Sequence, residues 1–211
     1  MPSDLAEQRR LLAERIKTST HIDAPGILAA FAAVPRHEFL SKEQQAQAYE
    51  DRALPLDEGQ TVSQPSMIAI MLAELDCGPT HRALEVGAGS GYAAALLGQL
   101  VARVYAVELR PNLASRARSS LARVGVQNVY VVEGDGSAGL PAHAPYDRIL
   151  VSAAPREVPE ALVAQLAIGG KMAIPVGDTQ AQTLLVAHKI AENQVSWQRT
   201  VPCIFVPLVR G

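Results

Sequence analysis

Cysteine is scarce. Cys77 and Cys203 are the only two in 211 residues, and they form no close pair in the sequence. Neither a disulfide framework nor a cysteine-based metal site is therefore expected. The five histidines, His21, His37, His81, His143 and His188, show no metal-ligand spacing and are read as surface or loop residues. Basic excess is also missing. The net charge is −2 and no Lys/Arg-rich tail occurs, so there is no strong positive field for nucleic-acid phosphates. No apolar run approaches the ~20 residues of a membrane span, and Met1 to Arg15 lacks the apolar centre of a signal peptide. These absences point to a soluble cytoplasmic protein. Aromatic residues make up 4% of the chain against 48% hydrophobic residues, so Ala, Val and Leu must build the core. That balance suits an α/β protein with Val/Ile-rich buried strands and Ala-rich helices.

Leu5, Leu11, Leu12 and Ile16 recur among charges over 4–17, which predicts an amphipathic helix. A second helix is expected over 25–34, started by Pro25 and stopped by Pro35. The segment 35–65 has no clean period and is read as an ordered loop region, of the length that is usually functional. Pro65 then opens a helix through Leu75. From Arg82 onward short apolar runs, Ala83–Val86, Val104–Val107, Val129–Val132 and Ile149–Val151, alternate with helical stretches at 91–101, 111–124 and 157–167. Such alternation predicts a parallel sheet with helices on both faces. Three more strands are expected at Met172–Val176, Thr183–Ile190 and Pro202–Leu208, the last two pairing as an antiparallel hairpin. Trp197 and Tyr92 are read as packing residues, and Lys189 and Arg199 as solvated charges.

The most informative stretch is Glu85-Val-Gly-Ala-Gly-Ser-Gly-Tyr92, which follows a buried strand and opens a helix. Glycines there let a ligand approach the main chain closely. Glu108 ends the next strand, where a carboxylate accepts hydrogen bonds from ribose hydroxyls. A nicotinamide dinucleotide prefers G-x-G-x-x-G, which would require glycine at position 92, but Tyr92 stands there. The spacing here is G-x-G-x-G. Glu85 would repel a pyrophosphate, whereas it suits the cationic groups of S-adenosylmethionine. That cofactor is favoured over NAD, and both over a turn that binds nothing. Gly134-Asp-Gly136 follows the third strand. Asp135 is placed to accept from an adenine amino group, or else is simply a good turn former.

These residues and several further stretches together resemble the protein-L-isoaspartate (D-aspartate) O-methyltransferases. The stretches are Val34-Pro-Arg-His-Glu-Phe39, Ala53-Leu-Pro-Leu56, Gly59-Gln-Thr-Val-Ser-Gln-Pro65, Ala144-Pro-Tyr-Asp147, Ser152-Ala-Ala-Pro155, Gly169-Gly170, Pro175-Val-Gly177 and Phe205-Val-Pro-Leu208. The glycine loop is generic to many methyltransferases, while Gly59–Pro65 and Phe205–Leu208 are more specific. The resemblance implies a Rossmann-type S-adenosylmethionine-dependent methyltransferase fold, α/β, with a mainly parallel seven-stranded sheet and N-terminal helices. It implies a single domain over 1–211, with 1–78 as helical cover and active-site loop and 79–211 as cofactor-binding core. Ser63 takes the position of the family's active-site serine. Thr61, Val62 and Gln64 lie beside cofactor and substrate carboxylate, and Gly87, Gly89 and Gly91 form the loop. Glu85 and Glu108 take the acidic positions near the methionine and ribose parts, and Asp135 and Gly136 the adenine position. Isoaspartyl proteins and peptides are the implied substrates, with no metal, nucleic acid or membrane partner. On its own residues, without the resemblance, Ser63 reads as a turn or helix-cap serine before Pro65 rather than as a functional one. Asp57-Glu58, Ser66 and Ile204 depart from the family pattern, and the chain ends at Gly211, soon after Phe205–Leu208. Two other readings stand beside this one: a paralogue methylating a small molecule or RNA, and a cofactor-binding relative without turnover.

Overall fold

The computed structural model describes the backbone of residues 2–211 and the side chains of residues 5–211. Met1 and the side chains of residues 2–4, part of the segment read for a targeting signal, lie outside the described residues. Helix α1 (Pro2–Thr20) buries Leu12 and Ile16, two of the residues whose spacing predicts it. Helices α2 (Pro25–Ala33), α3 (Pro65–Leu75) and α5 (Pro111–Arg123) each begin with a proline in the first turn, where its missing N–H costs nothing. Helix α2 stops because Val34, held extended before Pro35, cannot continue it. The segment 35–64 is ordered by 3₁₀ turns and by a two-residue antiparallel ribbon, β1 (Leu54–Pro55) with β2 (Thr61–Val62).

The main sheet has seven strands: β3 (Arg82–Val86), β4 (Arg103–Glu108), β5 (Val129–Glu133), β6 (Tyr146–Val151), β7 (Leu166–Gly177), β8 (Gln182–Ala191) and β9 (Gln194–Cys203). Their order is β5-β4-β3-β6-β7-β8-β9. The pairs from β5 to β7 are parallel, and β7–β8 and β8–β9 are antiparallel. The chain leaves β3 toward β4 on one side and returns to β6 on the other, so the switch in direction opens a crevice at the C-terminal tips of β3 and β6. No described helix is long and apolar enough to cross a membrane.

Helices α1 to α3, α4 (Tyr92–Gly98) and α5 share one apolar cluster with sheet residues such as Ala83, Val104, Ala106 and Leu150. The opposite face, with Leu84, Val86, Ile149 and Met172, is covered by α6 (Glu160–Ala164), Leu140 and Leu208. Helices thus lie on both faces, five on one and α6 on the other. Gly134, Gly136, Gly139, Pro141 and Pro145 punctuate the β5–β6 connection, which runs through two short 3₁₀ turns. The helix expected over 157–167 is shorter, because Leu166 already belongs to β7.

The strand expected at Pro202–Leu208 is also corrected. The hairpin partner of β8 is β9, which ends at Cys203. Residues Phe205–Leu208 instead cross the strand tips. The Ala154 N–H donates to the Val206 carbonyl (2.8 Å) and the Leu208 N–H to that of Ala154 (2.9 Å). The Gln182 side chain accepts from the Phe205 N–H (2.6 Å) and donates to its carbonyl (3.0 Å). Gln182 is 5% exposed, so Gln182→Ala leaves two buried main-chain groups unpaired. We expect it to cost about 1–3 kcal/mol of stability, measured by urea unfolding; an unchanged midpoint would contradict this anchoring. Lys189, read as a solvated charge, is buried, with its ammonium 3.7 Å from Glu192.

Candidate functional site

Strand alternation places Glu85 on the same face as Ala83, beneath the helical layer, in the centre of the sheet. It is fully buried, and burial pushes its carboxyl up to about 8; the Ser152 hydrogen bond opposes this and the Glu108 charge adds to it. The Ser152 hydroxyl donates to Oε1 (3.1 Å), whereas Oε2 has no partner. A buried carboxylate oxygen without a donor is costly on its own, and a cationic ligand group is what would satisfy it.

A groove runs from Glu85 along the strand tips. Thr61, Gly87, Gly89 and Ser152 line both its halves; Val62, Ser63 and Tyr92 lie with Glu85 at one end, Glu108 and Gly136 at the other. Gly87 and Gly89 have φ of 87° and 52°, a region that L side chains rarely adopt. Glu108 is 6% exposed and fixes the loop, accepting from the Gly89 N–H (2.8 Å) and the Arg110 N–H (3.0 Å). Gly136 approaches Val86 so closely that a Cβ would lie 2.6 Å from its Cγ1. Gly91 stands apart from the groove. It has φ 86°, and its added Cβ would meet Ala117 at 3.2 Å, so it serves the close packing of α4 on α5. Asp135 is engaged locally, accepting from the Ser137 N–H (2.8 Å) and the Gly211 N–H (3.2 Å).

Ser63 lies where this groove meets a second cavity. That cavity is about 880 Å³, and its lining includes Thr61, Ser63, Gln64, Met67, Ile204 and Phe205 and no charged side chain. The helix-cap reading of Ser63 does not fit the geometry. The N-cap of α3 is Gln64, without a side-chain cap bond. The capping carboxylate comes from Asp51, which accepts from the Ser66 N–H (2.8 Å) and from Gln64 Nε2 (3.2 Å). The departing pair Asp57-Glu58 ties the turn before Thr61 to α5: Asp57 bridges to Arg116, and Glu58 to Arg110 (3.2 Å) and Asn112 (3.2 Å). Sequence reasoning missed Ser152, Asp51 and Arg36. For Ser152 a signal existed, since it directly follows the strand that neighbours β3.

The sequence profile of the protein-L-isoaspartate(D-aspartate) O-methyltransferase family matches residues 7–211. A protein-L-isoaspartate O-methyltransferase from Methanopyrus kandleri is 46% identical over 205 residues, covering 95% of this chain and 91% of that protein. One from Roseiflexus sp. is 46% identical over 208 residues, covering 99% and 94%. A solved protein-L-isoaspartate O-methyltransferase superposes with a TM-score of 0.85 at 30% identity; the match covers 94% of this chain and 65% of that longer one. A Plasmodium falciparum structure, described as a beta-aspartate methyltransferase in complex with S-adenosyl-L-homocysteine, shares the fold with a TM-score of 0.84 at 24% identity over 96% of this chain and 99% of that one.

Proposed function

Because the chain belongs to the protein-L-isoaspartate(D-aspartate) O-methyltransferase family, we propose that it methylates the free carboxylate of L-isoaspartyl residues in damaged proteins and peptides, with S-adenosyl-L-methionine as donor. The observation that carries this reading is the position of Ser63 between two spaces: a groove ending on the unpartnered Glu85 oxygen and an uncharged cavity open to a peptide. Glu85 would hold the ammonium end of the cofactor, the Gly87–Gly89 loop would leave room for it beside the main chain, Glu108 would take the ribose, and Asp135 with Gly136 the adenine. When bound, the cofactor supplies a methyl group activated by its sulfonium charge.

The substrate carboxylate is ionised at neutral pH and is its own nucleophile, so the protein has no need of a strong base. The chain's task is orientation. The Ser63 hydroxyl donates to one carboxylate oxygen and fixes its direction, while Thr61, Val62 and Gln64 shape the passage beside it. The uncharged lining adds no competing ion, which favours the meeting of an anion and a cation that neutralise each other. Two unpaired thiols, Cys77 and Cys203, fit a reducing compartment and so a cytoplasmic location.

The test is transfer of labelled methyl to an isoaspartyl peptide and, in parallel, to transfer RNA. Base-labile label on the peptide alone is expected; label on RNA alone would replace this function with that of a nucleic-acid paralogue. For the adenine end, Asp135→Ala should weaken S-adenosylhomocysteine by about 1–3 kcal/mol through loss of one ionised hydrogen-bond acceptor. Calorimetry on the folded variant checks this, and an unchanged dissociation constant would leave Asp135 as a turn residue alone.

A further inference from the structure

Arg36 is among the largest fully buried side chains of the protein. Its acceptors are main-chain carbonyls rather than carboxylates. Nη1 donates to Ala48 (3.0 Å) and Glu50 (3.0 Å), and Nη2 to Arg52 (3.0 Å) and Ser63 (3.1 Å). Nε has no partner, and the guanidinium carbon lies 5.7 Å from the centre of the Tyr92 ring.

The segment from Ala48 to Ser63 has almost no regular structure to satisfy its carbonyls; its ribbon pairs two residues with two. A guanidinium suits this task because its planar fork spreads donors in fixed directions. A lysine ammonium has three donors on one atom and cannot reach carbonyls on both sides of such a fork. The same segment grips Ser63 from its other side. Asp51, between two of the carbonyls that Arg36 binds, caps α3 through Ser66 and holds Gln64. Ser63 is therefore fixed through its own carbonyl by Arg36, and through Gln64 and Ser66 by Asp51.

We propose that Arg36 is a positioning residue for methyl transfer: by tying the Ser63 carbonyl to those of Ala48, Glu50 and Arg52, it sets the direction in which the Ser63 hydroxyl meets the substrate carboxylate. This rests on the assignment of Ser63 to the carboxylate. Arg36 itself touches neither substrate nor cofactor, and its effect passes through Ser63. A displacement of about 1 Å at an orienting group is enough to cost on the order of a hundredfold in rate.

A double-mutant cycle separates this role from a merely structural one, because a residue acting through another loses its effect when that other is removed. Arg36→Lys should lower kcat at least about tenfold while leaving the S-adenosylhomocysteine dissociation constant within about twofold. In a Ser63→Ala background the same change should alter kcat by less than about twofold. Arg36→Met, uncharged and of similar length, is carried in parallel, because it leaves no unpaired charge buried. Effects of Arg36 and Ser63 that multiply independently would overturn the proposal, as would failure of both Arg36 variants to fold. Full turnover in Ser63→Ala alone would instead remove the serine assignment, and this proposal with it.

Discussion

Glu85→Gln should weaken S-adenosylhomocysteine binding by at least about a hundredfold, the scale of truncating one partner of a buried charge pair. It should also make the cofactor-free protein more stable at neutral pH. Both effects follow from a carboxyl held in the sheet centre with one oxygen unpartnered. Burial raises its folded-state value to about 8, against about 4.3 for an unfolded glutamate. Between those values the folded state keeps a proton that the unfolded state has lost. The stability contributed by this group is therefore complete below the lower value and is lost as pH rises toward the upper one. Glutamine keeps the shape and the Ser152 hydrogen bond but does not titrate, so its melting temperature should lack this decline between pH 5 and 8. The cofactor's ammonium needs the ionised carboxylate. Wild-type affinity should thus rise as pH increases from about 6 toward about 8, where the buried carboxyl ionises. Wild-type affinity in Glu85→Gln, or a flat pH profile, would contradict the assignment of Glu85 to a cation.

Ser63→Ala should reduce turnover by about ten- to a thousandfold, the range for loss of one oriented hydrogen-bond donor, with cofactor affinity nearly intact. The substrate carboxylate stays nucleophilic without the serine, so some activity should remain. Ser63→Thr keeps the hydroxyl but adds a methyl group beside it and should fall between. Asp51 already caps α3, so neither change should lower the melting temperature as loss of a helix cap would. Normal turnover per folded molecule with reduced stability would sink the catalytic assignment.

The regular elements were legible wherever local chemistry and burial agree. Pro65 and the apolar residues after it mark α3, and the run from Ala83 to Val86 could only be a buried strand. Strand β9 was not legible. Its sequence exposes Ser196, Trp197, Gln198 and Arg199 in succession, so it carries no period-two signal and is placed mainly by its ladder to β8. Phe205–Leu208 misled in the opposite sense. The run is apolar because it packs across the strand tips beside Gln182, a contact between residues distant in sequence. In the candidate site, the gathering of Glu85, Glu108, Gly87 and Gly89 at the strand tips could be read because it is local to strand–loop–helix units. Arg36 and Asp51 could not, because their partners are carbonyls and N–H groups of a loop whose path no periodicity dictates. Gly91 is read into the ligand loop by its spacing, and the structure adds a close approach to Ala117 that no local pattern announces.

The most direct test of the account is a steady-state methylation assay on two peptides of one sequence, differing only in whether one residue is isoaspartyl or normal aspartyl. The two present the same charge and composition and differ in the placement of the backbone and the free carboxylate. The account predicts methyl ester formation on the isoaspartyl peptide with saturable kinetics, and none above background on its aspartyl counterpart. Equal rates on the two, or no transfer to either by folded protein that binds S-adenosylhomocysteine, would contradict it.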